Sequence, residues 1–102
     1  MSIAYVNASG SFYKVFNERS SEISYKAKSS VGEILGFSDR LIVTEKDSYY
    51  YTYDENWRQI SYKAKSSVGV FENVSGEYVI FIKDGYIYVH DKNFNQVSYK
   101  SR

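Results

Sequence analysis

The chain has 102 residues, 13 basic and 12 acidic side chains, a net charge of +1, one histidine, and neither cysteine nor proline. That length builds one domain, and so even a charge balance excludes a global field that would draw in nucleic acid or an anionic membrane. Without cysteine there are no disulfide frameworks or thiolate metal centres, and the start MSIAYVNASG lacks the basic stretch and apolar run of an export signal, so a soluble, cytoplasmic protein is expected.

Twelve tyrosines and six phenylalanines beside a single methionine suit half-buried strands, and the chain is expected to be all-β. The first strand is the short apolar run AYV at 4–6, and Gly10-Ser11 turns it into an alternating segment, with Phe12, Lys14 and Phe16 on one face and Tyr13 and Val15 on the other. NERS, beginning at Asn17, is a turn whose opening side chain can accept a backbone hydrogen bond two residues on. A third strand follows, with Ile23, Tyr25 and Ala27 opposite Ser24, Lys26 and Lys28; the loop SSVG at 29–32 leads to EILGF, the weakest strand because Gly36 sits inside it.

The same order then recurs. LIV at 41–43, the turn Asp47-Ser48, the alternation of Tyr49, Tyr51 and Tyr53 against Tyr50 and Thr52, the turn DENW, the strand and loop ISYKAKSSVG, and VFENV make a second set. YVIFI at 78–82, Asp84-Gly85, Tyr86, Tyr88 and His90 against Ile87 and Val89, the turn DKNF, and VSYKSR make a third. Asp-Gly is the two-residue hairpin signal, since both of its positions take positive φ. The decapeptide ISYKAKSSVG stands at Ile23–Gly32 and again at Ile60–Gly69, with a shorter relative at Val97–Arg102, so the period is 37 residues. The units are 1–37, 38–74 and 75–102, the last lacking its fourth strand.

Four short strands per unit, joined by tight turns and repeated in tandem, resemble the blades of a β-propeller. The resemblance is architectural and spans the whole chain; it implies three antiparallel, blade-like, four-stranded sheets. A β-trefoil, also threefold and four-stranded per repeat, is the alternative. Three blades do not close a ring, so completion by oligomerisation is expected, two chains forming a six-bladed homodimer.

Catalysis is not expected. The one histidine, His90, takes a position that Phe16 and Tyr53 fill in the other units, and no second histidine or cysteine stands at metal-ligand spacing. No cofactor motif is present either, so no cofactor is expected. Two features point to binding or scaffolding. One is the turn tip bearing Trp57 and Phe94 beside Asp54 and Asp91, which, if exposed, could stack on a sugar ring in a lectin-like, glycan-binding manner. The other is a repeated lysine face, Lys26, Lys28, Lys63, Lys65 and Lys100, suited to a polyanion such as RNA. A purely structural self-assembling repeat is the third reading, in which tyrosine pairs are sheet glue and lysines solvate strand faces.

Overall fold

The computed structural model describes residues 2–102, and among them the period-2 segments fold into eleven strands and two single helical turns. β1 (Tyr5–Ser9), β2 (Phe12–Phe16) and β3 (Glu22–Ala27) form a three-stranded sheet; α1 (Lys28–Val31) follows. β4 (Glu33–Phe37), β5 (Ile42–Lys46), β6 (Tyr49–Tyr53) and β7 (Gln59–Ala64) form the second sheet; α2 (Lys65–Val68) follows. β8 (Val70–Ser75), β9 (Tyr78–Lys83), β10 (Tyr86–Asp91) and β11 (Gln96–Ser101) form the third. Each sheet is an antiparallel meander. No helix among the described residues is long and apolar enough to cross a membrane.

The all-β reading and the eleven segments agree with this architecture. The sheets, however, are offset from the 37-residue units. EILGF and VFENV, placed at the ends of the first two units, hydrogen-bond to the strands that follow them, as β4 on β5 and β8 on β9. The three-stranded sheet is therefore the first one, and the third has four strands. The reason is the SSVG segment. It forms a helical turn instead of a hairpin, and this turn carries the chain from the outer edge of one sheet to the first strand of the next.

Glycine makes that crossing possible. Gly32 and Gly69 cap the helical turns at φ +87° and +97°, and a Cβ there would lie 2.3 Å from the Glu45 carbonyl oxygen and 2.4 Å from that of Ile82. No L side chain fits such an approach, and the positive φ disfavours one independently. The hairpin turns obey the same logic. Asp47-Ser48 and Asp84-Gly85 have positive φ at both positions, the type I′ geometry that matches strand twist, whereas in the Gly10-Ser11 hairpin only Gly10 is positive.

The sheets stack through two different faces. Strand alternation puts aromatic rings on one side of each sheet and aliphatic or small residues on the other. Val15, with Val6 and Tyr13 beside it, packs from the first sheet against Ile42, Tyr53 and Trp57 of the second, with Val31 of α1 wedged between. Leu41, Val43 and Tyr50 pack from the second sheet against Val79, Phe81 and Phe94 of the third, with Val68 of α2 in the matching place. Fully burying each such aliphatic or aromatic side chain contributes about 1.5–3 kcal/mol. These two interlayers are the core. Hydrogen bonds add register: Ser24 Oγ donates to the Glu55 carbonyl at 2.5 Å, Ser61 Oγ to the Asn93 carbonyl at 3.3 Å, and Thr52 Oγ1 to the Lys92 carbonyl at 2.7 Å.

Gly69→Ala is expected to lower unfolding free energy by roughly 2–4 kcal/mol, through steric overlap and left-handed strain together. Gly10→Ala, where nothing lies within 4 Å of the added methyl, should lose only about 1 kcal/mol. Urea unfolding of both variants measures the difference.

Candidate functional site

The turn after each second strand is built by one side chain. Asp54 Oδ1 accepts from the backbone N–H groups of Asn56 (2.8 Å) and Arg58 (2.9 Å). Asp91 Oδ1 accepts from Asn93 and Asn95, and Asn17 Oδ1 from Arg19 and Ser21, in the same pattern. These groups anchor the turns, and an Asn does the same in the first sheet, so a negative charge is not what the position needs.

The fourth turn residue takes left-handed backbone, φ 60° at Ser20, 61° at Trp57 and 63° at Phe94. This geometry swings the side chain back over its own sheet. Trp57 is 5% exposed, its ring 6.1 Å from that of Tyr13 and 5.4 Å from that of Tyr53. Phe94 is 4% exposed and lies 6.1 Å from Phe81. The exposed aromatic tip expected from the sequence is therefore corrected: both rings are core residues, and their faces are covered by neighbouring rings. Burial of a large ring outweighs the cost, of order 1–3 kcal/mol, of holding a non-glycine residue at positive φ. Trp57 Nε1 is buried without a hydrogen-bond partner.

The lysines divide into two sets. Lys26, Lys63 and Lys100 are exposed on the outermost strands β3, β7 and β11, one per sheet. Lys28 and Lys65 do not continue the strand face; they open the helical turns and fold over rings. Lys28 Nζ lies 5.5 Å from the centroid of Tyr13, and Lys65 Nζ lies 5.8 Å from that of Tyr50 and 2.9 Å from Glu45 Oε2. The Glu45 carboxylate raises the Lys65 pKa through a hydrogen bond and charge attraction, against some loss of hydration. The five lysines are thus not one surface.

His90 is 7% exposed, edge-on to Phe81 at 5.4 Å, with Nδ1 3.3 Å from the Phe94 carbonyl oxygen. It borders a groove of 270 Å³ together with Lys83, Asp84, Tyr88 and Gln96. Lys83 Nζ donates to the carbonyls of Ser66 and Ser67 at the groove wall. Among the described residues, no group of three or more His, Asp or Glu side chains could hold a metal ion.

The surface with the least structural explanation is one the site reading did not single out. The outward face of the third sheet carries Val70, Ile80, Ile82, Ile87, Val89 and Val97, with Asn73, Ser98 and Lys100 standing opposite Ile80, Val89 and Ile87 on the flanking strands. Val70 and Val97 are 69% and 55% exposed, and the other four are half-buried. One period earlier, Val43, Tyr50 and Thr52 occupy the places of Ile80, Ile87 and Val89, and there they are 0–2% exposed because the third sheet covers them. A signal for this face was present in the repeat alignment: Ile82 stands where Glu45 does, Ile87 where Tyr50 does, and Val89 where Thr52 does.

Trp57→Ala and Phe94→Ala should each lose about 3–5 kcal/mol of stability, the range for emptying a large buried aromatic site. Asp54→Ala should lose about 1–2 kcal/mol, since two turn N–H groups lose their acceptor. Denaturant midpoints rank the three. The pH dependence follows from Tyr50, whose pKa is raised by burial, with partial opposition from the Phe71 N–H and Lys65 and a further rise from Glu45. Tyr53 is raised too, again mainly by burial. The fold holds these phenol protons more tightly than the unfolded chain does, so their contribution is intact below the ordinary pKa of about 10 and is lost as pH climbs through the raised values. Urea midpoints should fall above pH 10, and less steeply in Tyr50→Phe.

No protein-family model, no curated protein and no solved structure matches this chain.

Proposed function

We propose that this chain is a non-enzymatic scaffolding module, a segment of propeller-like blades that self-assembles with a second copy. The supporting observation is the outward face of the third sheet, where Ile80, Ile87 and Val89 stand in the places of Val43, Tyr50 and Thr52, which a neighbouring sheet buries. An apolar centre of this kind, Ile80, Ile82, Ile87 and Val89 flanked by Asn73, Ser98 and Lys100, fits an interaction surface with a polar rim.

Blade-like packing is supported by how the first strands of neighbouring sheets meet. β4 lies beside β8, and a Cβ on Gly36 would be 3.1 Å from the Phe71 ring and 3.2 Å from Val74. The repeated decapeptide also reads as structure position by position: Ile23 and Ile60 pack against the core, Ser24 and Ser61 bond to the next sheet's turn, Lys28 and Lys65 cover rings, Val31 and Val68 plug the interlayer, and Gly32 and Gly69 permit the crossing. Lys26 and Lys63, with the exposed serines of the helical turns, are the positions of the repeat left without such a role.

Polyanion binding is a second reading, favoured by one observation: Lys26, Lys63 and Lys100 are exposed at the same register of each outermost strand. Its signature is affinity for an RNA homopolymer that falls steeply between low and moderate salt; flat affinity would remove it.

Light scattering on a sizing column, over a range of loading concentrations, tests the main proposal. A species near twice 11.9 kDa, populated increasingly with concentration, is expected. A monomer at every concentration would overturn it.

A further inference from the structure

We propose that the two grooves between neighbouring sheets, at their outer rim, bind single-stranded nucleic acid, with Lys26 and Lys63 holding phosphates and Tyr62 and Tyr99 stacking on bases. This inference rests on the polyanion reading above and names its ligand and the rest of its site.

Strand pairing sets these side chains against one another across each interlayer. Lys26 stands opposite Tyr13, whose ring lies against Trp57, so the Lys26 side of β3 faces the second sheet. Tyr62 stands opposite Tyr51, which packs in that same interlayer, so its ring projects toward the first sheet. One period on, Lys63 stands opposite Tyr50, whose ring meets Phe81, and therefore faces the third sheet. Tyr99 stands opposite Tyr88, beside Phe81, and projects back toward the second sheet. Each groove has a lysine on one wall and a tyrosine on the other, one residue apart in the repeat. Both grooves lie between sheets of this chain.

The tyrosine wall is open. Tyr62 stacks on Tyr51 at 5.9 Å and 29°, and Tyr99 on Tyr88 at 5.8 Å and 28°, yet the two are 58% and 61% exposed. Those pairs hold register with or without a ligand; the uncovered part of each ring is a surface on which a base can stack. Gln59 and Gln96 stand across from Tyr53 and His90 on the same walls, and both are exposed. An amide donates and accepts at once, as a base edge does. In the second groove, Tyr88, His90 and Gln96 line the 270 Å³ space together with Ser67 of α2.

Charge singles out the same edge. Of the acidic residues, only Glu22 lies on the outermost strands, and it pairs with Lys14 on the first sheet's other face. The rest lie in turns or on other strands, so a net charge of +1 conceals a locally basic rim. Protecting an edge strand calls for a charge, but not for an open ring facing it. A single strand following the rim meets the two grooves one sheet spacing apart, ~10 Å, and two weak sites then act together. Lys100, across from Ile87 on the third sheet's other face, belongs to neither groove.

Fluorescence anisotropy of a labelled uridine homopolymer of roughly ten nucleotides, at low salt, tests the assignment beside duplex RNA of equal length and inorganic polyphosphate. The single strand is expected to bind tightest. Tyr62→Leu and Tyr99→Leu together should weaken it about tenfold or more and leave polyphosphate binding unchanged. Tyr62→Phe and Tyr99→Phe together should bind as wild type does, because the ring and not the hydroxyl stacks. Lys26→Gln and Lys63→Gln together should weaken both polyanions and flatten the log–log salt slope for the single strand by ~0.7 per lysine. Lys100→Gln should change affinity by less than about twofold. If the leucine variant binds the single strand like wild type, or if Lys100→Gln costs as much as Lys63→Gln, the groove proposal is overturned while polyanion binding stands. If neither the homopolymer nor polyphosphate binds, both are overturned. Unchanged fluorescence of Trp57, the one tryptophan and 5% exposed, shows that each variant is folded.

Discussion

The structure depends on the crossing from one sheet to the next. Each sheet is a meander that ends on its outermost strand, and the chain must return to the first strand of the following sheet without leaving backbone groups unpaired. A single helical turn, Lys28–Val31 or Lys65–Val68, does this. Its valine is buried in the interlayer it spans, at 1% or 3% exposure, and its capping glycine presses onto a carbonyl of the second strand in the new sheet. The glycine N–H closes the turn on the carbonyl of Lys28 or Lys65. Remove the positive φ and the next sheet is aimed elsewhere. The serine-to-turn hydrogen bonds, the tyrosine hydroxyl of Tyr50 donating to the Gly69 carbonyl at 2.8 Å, and the ring contacts between sheets all presuppose that direction.

Once direction is set, strand alternation supplies the mating surfaces. A period of two gives each sheet an aromatic face and an aliphatic face, and stacking in one sense always presents one to the other. Flat rings then meet branched or small side chains, which fill space with few voids. The outer ends of the aromatic faces project past the interlayer. Tyr25, Tyr62 and Tyr99 are each about 60% exposed, and each meets the ring across from it edge-on, Phe12 at 5.6 Å, Tyr49 at 5.9 Å and Tyr86 at 6.0 Å. Such pairs contribute about 0.2–1 kcal/mol apiece, enough to hold strand register and too little to need a ligand as explanation.

Much of this was legible in the residues. The eleven strands, the hairpins at Asp47-Ser48 and Asp84-Gly85 and the two-faced alternation follow from local chemistry, where each residue's preference is set by its immediate neighbours. Sheet membership was not legible. EILGF and VFENV carry no mark saying whether they pair backward or forward, because pairing is decided by where a four-residue helical turn sends the chain, and four residues show no period. The turn aromatics illustrate a second limit. Trp57 and Phe94 follow a polar turn opener and so read as tip residues; their backbone is left-handed, turning them inward, in a turn set by Asp54 or Asp91 and followed by a β-bulge at Ile60 or Val97 in the next strand. The binding surfaces followed the same division. Lys28 and Lys65 read as strand residues and are helical, while the aliphatic face of the third sheet was visible only by asking how Ile82, Ile87 and Val89 differ from their counterparts.

That comparison also bears on why ten residues recur without change. A shared ligand would constrain exposed positions, yet in the duplicated stretch the exposed Tyr25 and Tyr62 meet rings on their own sheets, and apart from Lys26, Lys63 and the exposed serines of the helical turns the side chains are occupied by packing, capping or bonding to the next sheet. Physical constraint on a sheet-to-sheet connector would constrain the whole stretch together. The third copy separates the two kinds of constraint. VSYKSR keeps Ser98, Tyr99 and Lys100 on β11, where Tyr99 stacks on Tyr88 at 5.8 Å as Tyr62 does on Tyr51 at 5.9 Å. It departs at Ser101 and Arg102, the positions of Ala64 and Lys65, where the other copies begin the helical turn. The change falls where the connector begins, while the strand positions are retained: Tyr99, which stacks inside its own sheet, and Ser98, whose counterparts Ser24 and Ser61 bond to the next sheet's turn, so strand and connector are separable parts of the repeat.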